Sequence, residues 1–317
     1  MKRLARWLLP VSFALAGLAG PAGATTSVTV DDSHPVPRPT SGHVERLPAI
    51  ASRFVEPRPV DVWLPESYGR DPSRRYPVIY MHDGQNVFDG ALVLGPWGGW
   101  HVDEAIARAA ARGSIREAIV VAVWNTGAHR YAEYYPTKAL PVLDEPLRGR
   151  FVETTLARRS RGDDYLRFLV EEVKPEVDRR FRTMPGRDDT MLMGSSMGGL
   201  VSLYAMSEYP QVFGAAACLS AHWVGSQLPD VAFPLASLVY LDRHLAPATD
   251  HRLYIDAGDQ GLDAAYAAPL ALFDRVAAAH GYEGPRYRSL RFPGAGHNET
   301  AWAARLDEPL AFLLGTR

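Results

Sequence analysis

Gly194-Ser195-Ser196-Met197-Gly198-Gly199 fits the pattern G-x-S-x-G, in which a serine is lifted out of a sharp strand-to-helix turn with its Oγ exposed. Residues without a Cβ on either side let the chain turn tightly and tolerate a strained backbone at the serine. Three matched positions arise by chance in roughly one chain in ten of this length, so the setting has to decide. Here the apolar run Thr190–Met193 precedes the motif, and the helix-forming stretch from Gly198 to Tyr209, stopped by Pro210, follows it. That is the strand-turn-helix context a nucleophilic serine requires. A serine hydroxyl is a weak nucleophile at neutral pH. It needs a base within hydrogen-bond reach and a third group that orients the base.

His297 is the candidate base. It lies in Gly294-Ala295-Gly296-His297-Asn298-Glu299, a glycine-rich loop after the last strand-like run and before a C-terminal helix. The orienting acid should come from the preceding loop, Asp256-Ala257-Gly258-Asp259-Gln260-Gly261-Leu262-Asp263. Asp256 reads as the end of a strand. Asp263 is the favoured acid and Asp259 the second candidate, although Asp263 could instead cap the segment that follows it. An oxyanion would need two backbone N–H donors. Met197, just after the serine, is one. Gln85 is the other, in the loop His82-Asp83-Gly84-Gln85-Asn86 that follows the run Val78–Met81.

These loops need a sheet to hold them. Pro59–Leu64 alternates apolar and polar residues, as a half-buried strand does. Val78–Met81 and Ala118–Val123 are continuous apolar runs, as buried parallel strands are. Thr190–Met193, Ala215–Leu219, Leu253–Ile255 and Tyr287–Phe292 complete the strand set. Between them, Leu166, Leu169, Val170, Val173 and Val177 form one helical stripe, with Asp163 or Asp164 as its N-cap. Val102–Arg112 ends before Gly113, and Pro269–His280 ends before Gly281. Such alternation predicts a mostly parallel central sheet with helices on both faces. Residues 126–161 and 222–250 break the alternation and are expected as small lid insertions over the C-terminal edge of the sheet.

Composition sets the outer bounds. The chain has 317 residues, 47% hydrophobic and 22% charged, with a formal charge of -2. This suits a globular domain and gives no reason to expect nucleic acid or an anionic membrane as partner. Lys2, Arg3 and Arg6 precede an apolar stretch from Trp7 to Ala19, and Ala22-Gly23-Ala24 has the form of a cleavage site. Residues 1–24 are therefore expected to be a signal peptide, 25–42 an extended leader, and 43–317 the catalytic domain of a secreted or periplasmic protein without a stable membrane anchor. Cys218 is the sole cysteine and sits in an apolar run, as an inert core residue would. There is no H-E-x-x-H, no cysteine pair and no G-x-G-x-x-G after a strand, so no metal or cofactor is expected.

With these residues on the page, the chain resembles the "putative esterase" branch of the α/β-hydrolases, which includes enterochelin, feruloyl and acetyl-xylan esterases, S-formylglutathione hydrolase and the mycolyltransferase antigens. The resemblance runs from about Pro59 to Leu314. It rests on His82-Asp83-Gly84-Gln85-Asn86, on the segment Gly194 to Gly199, and on His297-Asn298-Glu299 followed by Trp302. The order serine, acid, histidine along the chain is that of α/β-hydrolases. The resemblance implies an α/β-hydrolase fold and a serine carboxylester hydrolase acting on a small or medium ester of aryl, sugar or siderophore type. An acyltransferase with the same triad is the alternative, and a non-catalytic binding protein on the same fold the third reading. One departure matters: several members place the acid three residues after the loop glycine, where this chain has Gly261. Four further residues, Arg130, His222, Trp223 and Trp302, are candidates for substrate binding. For these aromatics, lid packing is the competing role.

Overall fold

A computed structural model describes residues 34–89, 98–224 and 231–316. The expected signal peptide and the first part of the leader lie outside the described residues. Among the described residues, eight strands form one sheet in the order β1-β2-β4-β3-β5-β6-β7-β8. They are β1 (His43–Arg46), β2 (Val60–Leu64), β3 (Val78–His82), β4 (Ile119–Val123), β5 (Thr190–Ser195), β6 (Ala215–Leu219), β7 (Arg252–Ala257) and β8 (Tyr287–Arg291). β1 and β2 run antiparallel to their neighbours, and β4-β3-β5-β6-β7-β8 are parallel. The strand carrying Ser195 thus sits mid-sheet, flanked by β3 and β6, whose C-terminal ends face the same edge.

The continuous apolar runs are explained by what covers them. Strand side chains alternate between faces, so Val78 and Tyr80 join one core with Leu192, Ala216, Cys218 and Ile255. Ile79, Met81, Met191, Met193 and Ala217 join a second core on the other face. Helix α1 (Val102–Ala111) belongs to the second face. So does α10 (Asp307–Leu314), through Leu310, Leu313 and Leu314. The first face carries α4 (Gly162–Arg167), α5 (Lys174–Arg180), α6 (Met197–Glu208), α7 (Ala232–His244) and α8 (Ala267–Ala279). Cys218 is fully buried there.

Two local expectations are corrected. The stripe from Leu166 to Val177 is not one regular helix, because a π-helical stretch, Phe168–Val173, separates α4 from α5. Its wider turn brings Phe168 onto the buried side and leaves Val170 only partly covered. Nor does an aspartate cap this helix. The N-cap is Arg161, with no side-chain cap bond, while Asp163 accepts from the Tyr204 hydroxyl. The end of the leader is docked: Thr40 N–H donates to Asp103 and Trp63 Nε1–H to Ser41 O.

The two irregular segments pack on each other. Residues 126–161 contain α2 (Arg130–Tyr134) and α3 (Glu145–Thr154), and Tyr135, Phe151 and Phe233 of α7 form one aromatic cluster between the segments. A buried bidentate ion pair, Arg58 to Glu133 with both bonds at 2.6 Å, ties α2 to the chain leading into β2. Removing one partner of such a pair leaves a buried charge unmatched, at a cost of about 3–5 kcal/mol.

Candidate active site

Ser196 lies at the tip of the turn between β5 and α6, with φ 56° and ψ -126°. This conformation is rare for a side chain with a Cβ, and a non-glycine residue held there stores strain. The turn is tight enough that a Cβ on Gly194 would come within 2.7 Å of the Gly198 backbone. It is locked from the next strand, since Ser196 N–H donates to Leu219 O and His222 N–H to Ser196 O. Ser196 Oγ is 2.8 Å from His297 Nε2, and His297 Nδ1 is 2.6 Å from Asp263 Oδ1. With its ring proton on Nδ1 facing the carboxylate, the imidazole presents Nε2 as the acceptor of the serine proton.

Asp263 reaches His297 although it lies two residues beyond Gly261, the position that the resemblance implied for the acid. A 3-10 turn, Gly261–Ala265, carries it inward. Its second oxygen, Oδ2, accepts from Gly258 N–H at 2.7 Å and from Ser220 Oγ at 2.6 Å. Burial pushes this carboxyl upward, but the bonds from His297, Ser220 and Gly258 outweigh it and hold the group below its ordinary range. Asp259 is exposed and serves the loop instead, accepting from Gly294 N–H and the Gln260 amide. Asp256 is on β7, as read from the sequence, and is paired with Arg305.

The loop after β3 sits against the serine turn. Asp83 takes a left-handed conformation, φ 56° and ψ 49°, and opens a 3-10 turn, Gly84–Asn86. Only glycine fits at residue 84, where a Cβ would approach Ala122 O to 2.6 Å. Asn125 braces the loop twice, through Asp83 Oδ1 and Gln85 Oε1. Tyr134 OH accepts from Asp83 N–H, and Asn86 donates to Glu299, next to the His297 loop. The loop also touches the N-terminus of α6, since a Cβ on Gly198 would lie 3.3 Å from His82 and 3.4 Å from Asp83 Oδ2. Neither Gln85 N–H nor Met197 N–H has an acceptor among the described residues.

A family model described as "Putative esterase" matches residues 51–313. The chain belongs to this family. Curated relatives are distant: the Bacillus subtilis (strain 168) "Uncharacterized protein YbbA" is 24% identical over 163 residues, which is 51% of this chain and 56% of that protein. The chain thus matches about half the length of that relative. Among solved structures, a "ferulic acid esterase" superposes with a TM-score of 0.62 at 18% identity, covering 86% of this chain and 97% of that one. An "IroE-like serine hydrolase" of Shewanella oneidensis gives 0.62 at 20% identity, covering 85% and 78%. These likenesses establish a shared fold, the α/β-hydrolase architecture.

In this esterase-family chain, none of the four substrate-binding expectations is met by a freely exposed side chain. Trp223 is fully buried, with its ring 5.5 Å from Phe273 of α8, so it is a core residue. Trp302 of α9 (Glu299–Ala303) is also buried; its ring lies edge-on to His297 at 5.0 Å and its N–H donates to Ser220 Oγ. Both bury because a lid seam and the back of a loop need large apolar area. Arg130 has its guanidinium on Asp83, with two bonds of 2.7 Å, and so holds the β3 loop. His222 is buried as well: its Nδ1 bonds to Tyr266 OH at 2.8 Å, its Nε2 has no partner among the described residues, and its ring meets Tyr131 and Tyr266 edge-on. Sequence reasoning missed Ser220 and Asn125, single polar residues just past β6 and β4 that form no pattern, and Tyr266, at the N-terminus of α8. The His82-Asp83 pair points at protein partners, Tyr165 and Arg130, and no cluster of three metal-ligating side chains occurs among the described residues.

Two buried histidines make folding sensitive to acid. Burial, above all, lowers His82 to about 4 and His222 to about 3. In the unfolded chain both would titrate near 6.5, so the unfolded state binds more protons at every pH between that value and the folded ones. Stability contributed by the neutral rings is therefore complete above pH 6.5 and lost as the pH falls below it, by about 2 kcal/mol per histidine at pH 5. A His222→Asn variant is expected to show a shallower fall in Tm between pH 7 and 4.5 than the parent. Parallel Tm profiles would contradict this.

Proposed function

We propose that this member of an esterase family is a serine carboxylic ester hydrolase. Ser196 attacks the ester carbonyl, His297 takes the serine proton and returns it to the leaving alcohol, and Asp263 holds the imidazole in the required tautomer. Gln85 and Met197 N–H groups stabilise the tetrahedral oxyanion, a contribution of roughly 3 kcal/mol per donor in such sites. Water then releases the acyl-enzyme. The observation that carries this reading is the continuous chain Ser196 Oγ, His297, Asp263, at 2.8 and 2.6 Å, with two backbone N–H groups, of Gln85 and Met197, that have no acceptor among the described residues.

The substrate is an ester with an aromatic acyl or leaving group. The partly exposed Tyr131 heads an edge-to-face row that runs through the buried His222 and Tyr266 to His297, and its ring suits a planar group. The likeness to a ferulic acid esterase agrees with it. The protein acts outside the cytoplasm, a reading supported by the basic, apolar and small-residue pattern of residues 1–24. A panel of methyl ferulate, acetylated xylan, a catecholate lactone and tributyrin tests the substrate class. Turnover of methyl ferulate at least tenfold above tributyrin is expected. A preference for tributyrin would overturn the aryl assignment and leave the esterase reading intact.

A further inference from the structure

Resting on the triad proposed above, we infer that Ser220 is a positioning residue for the acid, its hydroxyl proton forced onto Asp263 by two donors behind it. The hydroxyl has one proton to give and two lone pairs to fill. Trp302 Nε1–H donates to Ser220 Oγ at 3.0 Å and Arg305 Nη2–H at 2.8 Å. Neither donor can accept in return. The single proton of Ser220 is therefore left for Asp263 Oδ2, 2.6 Å away. The geometry is fixed on every side. Ser220 sits just past β6 at φ 43°, with its N–H bonded to Asp256 O and Oδ1. Arg305 is buried and bidentate on Asp256, whose carboxylate also receives the Tyr254 hydroxyl. All of these atoms are buried, so water does not compete for the Ser220 proton.

The consequence is electronic as well as steric. Ser220 draws negative charge toward Oδ2, away from the oxygen that faces His297. Without that bond the carboxylate would hold the imidazole proton more tightly. Around Asp263 the charged or titratable groups are His297, Tyr266 and, through Ser220, the Arg305–Asp256 pair with Tyr254. His222, in the loop after β6, and Glu299, on α9, face His297.

Ser220→Ala tests the inference in the full chain with a p-nitrophenyl ester. The expected result is a roughly tenfold lower kcat, KM within twofold, and an acid limb moved to higher pH by about half a unit. Trp302→Phe keeps the ring packing and removes one donor; it is expected to move the limb the same way by less, and it carries the test should the alanine variant not fold. An unchanged kcat and acid limb in a folded variant, or a change in KM alone, would overturn the role of Ser220 and leave the triad standing. Failure of the triad itself reads out differently, as activity that survives in Ser196→Ala.

Discussion

Ser196→Ala is expected to lower kcat/KM for p-nitrophenyl acetate by about 10⁴-fold or more, with KM little changed and the fold intact. The alanine removes the attacking oxygen and leaves the backbone donors and the aromatic wall in place, so a small residual rate over water should persist. The left-handed turn at residue 196 is set by two backbone bonds, Ser196 N–H to Leu219 O and His222 N–H to Ser196 O, and alanine preserves them. Thermal unfolding should therefore differ by no more than about 1 kcal/mol. The same variant should resist labelling by a fluorophosphonate probe that modifies the parent. Activity within tenfold of the parent would show that another group attacks the ester.

Asp263→Asn should be nearly as damaging, at about 10⁴-fold in kcat, while Asp259→Asn should cost less than about threefold. The difference follows from which atoms face Asp263. Gly258 N–H and Ser220 Oγ–H both point at Oδ2, so an asparagine must turn its carbonyl oxygen toward them. Its NH2 then faces His297 Nδ1, which must accept rather than donate. The ring proton moves to Nε2, opposite Ser196, where it blocks the serine from giving up its own. Asp259 has no such role, because its oxygen accepts from Gly294 N–H and the Gln260 amide, and an asparagine oxygen replaces it. A large loss in Asp259→Asn with little in Asp263→Asn would return the acid assignment to Asp259.

How much of this could be read from the chain depended on how far each residue's surroundings are sequence-local. The inner parallel strands were legible because both faces of each are covered, which forces apolar runs such as IVVAV in β4. β1 was not, since His43, Glu45 and Arg46 are polar and Val44 alone turns inward on an edge strand. Ser196 and His297 were legible because a sharp turn and a glycine-rich loop have residue signatures. Asp263 was reached by chain order, while its inward path depends on a 3-10 turn that spacing does not encode. The aromatics were the weakest ground: Trp223 and Trp302 have the composition of a binding site and the positions of a seam. Arg130 looked like a ligand for substrate because its partner, Asp83, is 47 residues away.

That last pairing has a further effect. An aspartate within a loop whose N–H is proposed to receive an alkoxide brings like charge toward the reaction, and like charges at short range in a dry site repel strongly. Asp83 is held ionised: burial opposes this, but Arg130 and Asn125 outweigh it, and Arg130 in turn stays firmly cationic beside it. The two charges cancel within a few ångströms, while their bonds still fix the loop. A tetrahedral intermediate on Ser196 would therefore meet peptide dipoles in a locally neutral wall. The arginine acts there as a built-in counterion, so the loop gains the rigidity of a salt bridge without presenting a net field of either sign.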